Sequence, residues 1–290
     1  MLGCRCSSLE ADSDGQRYLR CGQTDAPAAR QQRIGRLTLE LKERVLSLSA
    51  ALPLRIAAFV GPIGAALDAH DLASLRAAKP ELVFYLGGLG DDVGVAQKNL
   101  ASLAALRVPT LFIAGGEDRW PVVEAAFAAL TDGERELVLS ASGLRELRIG
   151  RERFVLAAGA PFGRYALDEQ SCGLNAADLA DIQAAAEKGE PALRTWLLSW
   201  HAPAGFGVSE GLAGSELGSP DLRALATAVD ARGGLFAFPE AQAGRARSTA
   251  PLSLVVPRVG RLGSQRADGS RLPAQVTSLI LGVDGLQSSP

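Results

Sequence analysis

Acidic and imidazole side chains follow several apolar segments of this sequence, where α/β proteins place their ligands. Glu117 and Asp118 follow the apolar segment at 110–114, and His201 ends a later one. Together with Glu240, these side chains could form an acidic pocket with one imidazole, which could bind a single cation. Two plainer interpretations stay open: the acidic residues form a solvated loop cluster, and His201 is a structural residue at a strand end.

Other candidates for chemistry are weaker. The G-x-S-x-G pattern of serine hydrolases is matched at 207–211, but a loop rich in proline and glycine precedes it and no histidine follows Ser209. Cys172 has no histidine near it in the sequence, so it is predicted to be buried rather than nucleophilic. Asp68 and His70 form a D-x-H pattern, but they fall on a predicted helix, which does not favour a metal role.

Three of the four cysteines lie near the N-terminus. The segment Met1-Leu2-Gly3-Cys4 resembles the end of a bacterial lipoprotein signal, although no apolar segment precedes it. A lipid on Cys4 and a chance match are both retained as interpretations. If Cys4 is lipidated, Cys6 and Cys21 could form a disulfide in an oxidising envelope.

Strands and helices that would position these side chains alternate along the first half of the chain. Strands are predicted at 54–60, 81–86 and 110–114, with helices at 71–78, 93–106 and 120–130. Each strand is a continuous apolar run that ends at a glycine turn. Continuous apolar strands that alternate with helices predict an α/β protein whose parallel sheet is covered on both faces.

The N-terminal region and the second half follow other patterns. Residues 34–51 space leucine and valine at helical intervals, so a helix is predicted that ends before Pro53. Residues 1–33 are polar and are interpreted as a flexible arm, with one domain at 34–290. The second half is predicted to contain a hairpin at 145–158, helices at 175–188 and 219–229, and strands at 195–200, 235–238, 252–256 and 276–283.

The order of the strand-end segments resembles the calcineurin-like metallophosphoesterase superfamily over roughly residues 54–284. Members of that family carry the blocks D-x-H-G, G-D-x-x-D, G-N-H-D, a strand ending in histidine, and G-H-x-H, which hold two metal ions. The first block aligns with 61–64, where Gly61 and Ile63 stand at the aspartate and histidine positions. The second aligns with 87–91, where Gly88 replaces the metal-bridging aspartate and Asp91 matches.

The remaining blocks are also altered, with one exception. In the third block, at 115–118, Gly116 stands at the asparagine position and Glu117 at the histidine position, whereas Asp118 matches. The fourth block keeps its histidine, His201. The fifth, at 237–240, has lost both histidines. Among the expected metal ligands, only His201 therefore remains.

This resemblance implies an α/β fold, namely a four-layer α/β/β/α sandwich of two mixed sheets. The replaced ligand positions imply that the function differs from that of the family. Glycine, isoleucine and phenylalanine side chains cannot hold a divalent metal, so a non-catalytic protein without a cofactor is expected. Such a pseudoenzyme would act as a binding or scaffolding component of a bacterial envelope, with a protein partner that the sequence does not identify.

The alternative that the resemblance leaves open is an active but divergent phosphoesterase. It would act on phosphomonoesters or phosphodiesters with His201, Asp118 and Glu117 as catalytic residues. Its metal would be manganese, iron or zinc, held by His201, Asp118, Glu240 and Asp91.

Composition excludes other classes of function. The net charge is −2 and the basic residues are scattered, which does not favour a nucleic-acid partner. The sequence has no apolar run of about 18 residues, so no transmembrane segment is predicted. The expected location is the bacterial cell envelope if Cys4 carries a lipid, and the cytoplasm otherwise.

Overall fold

The structure is a computed structural model that covers most of the chain. It describes residues 9–11, 15, 17–21, 28–162, 164–188, 193–210, 215–238, 243, 246–247, 253–260, 263–265 and 270–288. Three of the predicted site residues, Cys4, Cys6 and Glu240, lie outside these ranges.

Strands and helices alternate along much of the described chain. In chain order, the strands are β1 (Leu9–Ala11), β2 (Arg17–Arg20), β3 (Arg30–Ile34), β4 (Leu37–Lys42), β5 (Val45–Ser49), β6 (Leu54–Phe59), β7 (Leu82–Leu86), β8 (Thr110–Ile113), β9 (Val138–Ser140), β10 (Glu146–Ile149), β11 (Glu152–Ala157), β12 (Ala160–Pro161), β13 (Cys172–Leu174), β14 (Arg194–Ser199), β15 (Ala231–Phe236), β16 (Ala246–Arg247), β17 (Ser253–Val255), β18 (Ser264–Gln265), β19 (Arg271–Leu272), β20 (Thr277–Gly282) and β21 (Gly285–Ser288). The helices are α1 (Ala69–Ala77), α2 (Val93–Ala104), α3 (Trp120–Ala128), α4 (Asp132–Leu137), α5 (Ala176–Glu187) and α6 (Pro220–Ala228).

Polar side chains define where several helices begin. Asn175 accepts hydrogen bonds from the backbone N–H groups of Ala177 and Asp178 at the start of α5, as its position in the sequence predicts. Ser219 caps α6 in the same way, with Pro220 in the first turn. These caps satisfy backbone donors that would otherwise have no partner within the helix.

Two large mixed sheets dominate the fold. The six-stranded sheet has the order β21-β20-β6-β7-β8-β9, with β6 to β9 parallel. The nine-stranded sheet has the order β16-β17-β15-β14-β11-β10-β5-β4-β3 and mixes parallel with antiparallel pairs. The predicted strands and helices of residues 54–130 are confirmed, because long apolar runs between glycine turns left little ambiguity. The protein is therefore a mixed α/β protein, as predicted.

The helix predicted for residues 34–51 is wrong, since this segment forms the antiparallel strands β4 and β5. In β4, Leu37, Leu39 and Leu41 are all buried, and this period of two is that of a strand. Leu37 and Leu41 are four positions apart, and this spacing fits the period of a helix as well as that of a strand, which is why a helix was predicted. The turn between the strands contains Glu43, whose φ of 56° would not occur within a helix.

The N-terminal arm predicted at residues 1–33 is folded where the structure describes it. Strands β1 and β2 join β13 and β12 in a small mixed sheet. This pairing brings Cys21 and Cys172 together, with 5.2 Å between their Cα atoms, and they form a disulfide. The predicted Cys6–Cys21 pairing is thus corrected, since strand pairing selects a partner 151 positions away. The prediction that Cys172 is buried is confirmed.

Apolar side chains form three cores around the large sheets. One core lies between the two sheets, where the rings of Phe84 in β7 and Phe154 in β11 are 5.7 Å apart. A second packs the six-stranded sheet against α1, α2 and α3. A third packs the nine-stranded sheet against α5 and α6. None of the helices formed by the described residues combines the length and apolar character needed to cross a membrane.

Candidate functional site

The carboxyl ends of strands from both large sheets meet at one place in the fold. Gly61, which follows β6, donates its N–H to the carbonyl of Gly87 after β7 at 2.9 Å. A Cβ atom on Gly87 would lie 2.8 Å from Cδ1 of Trp200, which follows β14 in the other sheet. The strand ends that the sequence predicts to carry a site are thus adjacent.

The indole of Trp200 occupies the space between these strand ends. A Cβ atom on Gly115 would lie 2.1 Å from Cδ1 of Trp200, closer than real Cβ atoms approach other atoms. A Cβ atom on Gly116 would lie 3.2 Å from the same ring and 2.7 Å from the carbonyl oxygen of Tyr165. Glycine at these positions therefore makes room for the aromatic ring of Trp200 between the strand ends.

A buried ion pair lies beside the indole. One terminal nitrogen of Arg258 donates to the carbonyl oxygen of Gly61 at 2.6 Å, and the other donates to Oε2 of Glu117 at 2.7 Å. Only 8% of the Arg258 side chain and 24% of the Glu117 side chain are exposed. The same guanidinium lies 3.0 Å from where a Cβ atom on Gly88 would be. A protein cation therefore contacts the ends of three strands.

Asp118 connects two of these loops through backbone hydrogen bonds. Its carboxylate accepts from the N–H of Leu89 and from the N–H of Gly115, both at 2.8 Å. Burial and the charge of Glu117 raise the pKa of Asp118 to about 7, against the opposing effects of these bonds and of Arg258. With both oxygens used by the backbone, Asp118 is a structural carboxylate in this arrangement.

His201 is buried in neutral form among aromatic side chains. Its Nδ1 lies 2.9 Å from the carbonyl oxygen of Ala202, which can only accept, so Nδ1 carries the hydrogen. Burial lowers the pKa of His201 to about 4. The ring packs against Phe238 and Tyr165, at centroid distances of 4.9 Å and 5.2 Å. A neutral ring in this position is a poor proton donor near pH 7.

The predicted cation pocket is not assembled by the described residues. Arg164 and Glu216 are the charged side chains that act on the pKa of His201, whereas Glu117 and Arg258 act on the pKa of Asp118. Asp91 is exposed, close to Gly64. In the part of the chain that the structure describes, no group of three or more histidine, cysteine or acidic side chains could hold a metal ion.

The other sequence candidates have structural roles or remain unassigned. Asp68 caps α1 by accepting from the N–H groups of His70 and Asp71, at 2.8 Å and 2.9 Å. This confirms that the D-x-H pattern lies at a helix. Ser209 is buried. Neither Arg258 nor the role of Trp200 was predicted from the sequence. Glycines at three strand ends were a usable signal for a large side chain nearby, but nothing in the sequence marks Arg258.

The buried neutral His201 predicts a measurable loss of stability in acid. The unfolded chain takes up this proton near pH 6.5 but the folded protein only near pH 4, so stability is present above 6.5 and lost as the pH falls toward 4. Relative to His201→Phe, the wild-type protein should lose about 2.5 kcal/mol between pH 7.5 and 4.5. Urea unfolding at both pH values measures this difference.

The matched control for this prediction is His70→Gln. His70 is exposed on α1, so its substitution should leave the wild-type pH dependence unchanged. The raised pKa of Asp118 makes the folded protein more stable as the pH falls, which is opposite to the effect of His201. Because Asp118 is present in both proteins, its effect cancels when the variant is compared with wild type. Equal pH dependence in wild type and His201→Phe would contradict the prediction.

Comparisons with known proteins identify a fold but no family. No protein-family model matches the chain, and no curated protein matches it. One crystal structure matches with a TM-score of 0.54 and 10% sequence identity, over 82% of this chain and 99% of that chain. The crystal structure of TT1561 of Thermus thermophilus has a TM-score of 0.49 and 12% identity, over 82% and 98% of the two chains. At such identities the first likeness concerns the fold alone.

Proposed function

We propose that this chain is a non-catalytic protein with a metallophosphoesterase-like fold, which acts as a binding or scaffolding component. The proposed architecture is the four-layer α/β/β/α sandwich. The three apolar cores support it, since one lies between the two large sheets and the others lie between a sheet and its helices.

One observation carries the non-catalytic proposal: protein atoms fill the space that ligands of a dinuclear centre would need. A Cβ atom on Gly61 would lie 2.0 Å from the carbonyl oxygen of Gly88. Gly88 itself has a φ of 75°, which side chains other than glycine rarely adopt. Carboxylates at these two positions would require the backbone to move, in addition to the displacement of Arg258.

A fixed cation at this place is also consistent with the loss of metals. Two-metal hydrolysis depends on the combined charge of the ions, which polarises phosphate and activates water. The Arg258 guanidinium carries one positive charge and already contacts Glu117 and the Gly61 carbonyl. Arginine remains protonated at physiological pH, so it can neutralise an acidic neighbour but cannot generate a metal-bound hydroxide.

An envelope location with a protein partner is part of the same proposal. The Cys21–Cys172 disulfide favours an oxidising compartment, as expected of a lipoprotein with a lipid on Cys4. Tyr165 and Leu167 expose apolar side chains on the segment that packs against His201 and Phe238. Exposed apolar side chains beside a former catalytic face are suited to a protein contact.

The divergent hydrolase remains a second candidate because two buried ligating atoms have no partner among the described residues. They are Oε1 of Glu117 and Nε2 of His201. A single manganese, iron or zinc ion at either atom would need further ligands from outside the described residues, such as Glu240, because the described side chains form no metal-binding group.

The test compares metal binding and hydrolysis with added manganese. We expect no metal that copurifies in stoichiometric amount. We also expect no rise in Tm with micromolar manganese, since tight binding to the native state would raise Tm. Turnover of p-nitrophenyl phosphate and bis(p-nitrophenyl) phosphate should not exceed background. Manganese-dependent turnover that is lost in both His201→Ala and Asp118→Ala would instead establish the divergent hydrolase. Retained turnover in both variants would indicate a contaminating enzyme.

A further inference from the structure

A large groove is lined by residues from the edges of both large sheets and by none of the residues described above for the strand-end site. Its volume is about 750 Å³, within the range of small-molecule sites. The floor is apolar and includes Trp120, Val123 and Phe127 of α3, with Leu139 and Leu144 beyond them. Strand β3 of the nine-stranded sheet forms the opposite wall through Arg30.

Two of the charged side chains that line the groove, Arg135 and Glu124, have hydrogen-bond partners close to them in the sequence. Arg135 donates to the carbonyl oxygen of Ala128 at 2.6 Å and lies 3.9 Å from Asp132. Glu124 is hydrogen-bonded to the Trp120 side chain, and partial burial raises its pKa. Both groups therefore already have partners within the protein.

Arg30 is the cation with donors to spare. It makes one contact of 3.3 Å to the carbonyl oxygen of Arg135, although a guanidinium has five N–H donors. Within the described ranges, no carboxylate lies within ion-pair distance of Arg30. Burial lowers the pKa of Arg30, and the negative charge of Glu136 opposes this effect. A partly desolvated guanidinium above an apolar floor is suited to an anion that carries an apolar chain.

We infer that this groove binds an amphipathic carboxylate, with the carboxylate on Arg30 and the hydrocarbon chain against Trp120, Val123 and Phe127. Charge selects the head group, since a carboxylate can accept two parallel N–H bonds from a guanidinium. The apolar floor selects the chain, because apolar surface buried against it leaves water. This inference does not depend on the proposed function.

Decanoate is the probe, measured by isothermal titration calorimetry against decanol and decyltrimethylammonium. We expect one decanoate per chain, with decanol binding at least about tenfold more weakly because it lacks the charge-assisted bond. Arg30→Gln should weaken decanoate by a similar factor and leave decanol unchanged. Arg33→Gln is the matched control, since Arg33 is exposed on the same strand and does not line the groove.

A second pair of variants tests the location without touching the charge. Ala128→Trp places an indole at the groove wall from an exposed position of α3 and should abolish binding of both probes. Ala125→Trp adds the same ring on the same helix outside the groove lining and should leave binding intact. Absence of decanoate binding would overturn the inference. Equal binding by Ala128→Trp and wild type, or a preference for the cationic probe, would do so as well.

Discussion

Gly61→Ala is expected to destabilise the protein by at least about 3 kcal/mol, although it adds only one methyl group. The new Cβ atom would lie 2.0 Å from the carbonyl oxygen of Gly88 and 2.3 Å from the hydroxyl oxygen of Tyr85. That hydroxyl donates to the same Gly88 carbonyl at 2.6 Å. Relief of the clash would therefore separate two strand-end loops and break a buried hydrogen bond. Urea unfolding followed by circular dichroism measures the loss.

Gly133→Ala is the matched control for this substitution. Gly133 lies in α4, and a Cβ atom there would meet nothing within 4 Å. The same methyl group should stabilise the protein slightly, by about 0.5–1 kcal/mol, because alanine is the better helix former. Similar stabilities for Gly61→Ala and wild type would show that the two loops can separate easily, and would remove the steric argument for the non-catalytic proposal.

The clash at Gly61 also predicts the effect of a larger side chain at this position. Glycine at this position allows the Gly88 carbonyl to approach the first strand end, and Arg258 donates to the Gly61 carbonyl from the other side. An aspartate at position 61 would meet the same obstruction as an alanine. Gly61→Asp should therefore reduce stability without creating manganese binding, since the Gly88 carbonyl leaves no space for the new side chain.

The sequence predicted the elements whose signals are local. Strands β6, β7 and β8 are predominantly apolar runs, interrupted in β6 by Arg55, so neither their type nor their order depended on distant residues. The segment at 34–51 was misassigned because leucines four positions apart fit both a helix and a strand. Its strand pairing with β10, about a hundred residues later, decides between them.

The candidate site was predictable only in part, for the same reason. The convergence of the strand ends was predicted and is confirmed, whereas the interpretation of glycine at positions 61, 88 and 116 as replaced ligands stays a prediction that the resemblance implies. The side chains that fill the space could not be predicted from local pattern. Arg258 is 197 positions from Gly61 and 141 from Glu117, and Cys172 is 151 from Cys21. Such pairings are set by the assembled sheets.

The strongest electrostatic effect is expected from Arg258→Met. Removal of one partner of a fully buried ion pair leaves the other charge without compensation, which costs about 3–5 kcal/mol. We expect the lower end of this range, because 24% of the Glu117 side chain is exposed. Here Glu117 would lose its cation, and the Gly61 carbonyl would lose a donor. Arg119→Met is the matched control, because Arg119 and Asp168 also lie 2.7 Å apart but 43% of the Arg119 side chain is exposed, against 8% for Arg258. We expect that control to lose at most about 1 kcal/mol.

The loss in Arg258→Met should be larger at pH 8 than at pH 5. The folded-state pKa of Asp118 is raised to about 7, so its contribution to stability is present in acid and lost as the pH rises. The positive charge of Arg258 opposes this rise in the pKa of Asp118. In Arg258→Met the pKa of Asp118 should therefore be higher still, and the free energy of unfolding should continue to fall at higher pH. The double variant Arg258→Met/Glu117→Gln should recover part of the stability, because the uncompensated carboxylate is gone. Urea unfolding of all four proteins at both pH values measures these differences. If Arg258→Met and Arg119→Met lost the same free energy at every pH, the burial of Arg258 would add nothing to its ion pair, and the prediction would be wrong.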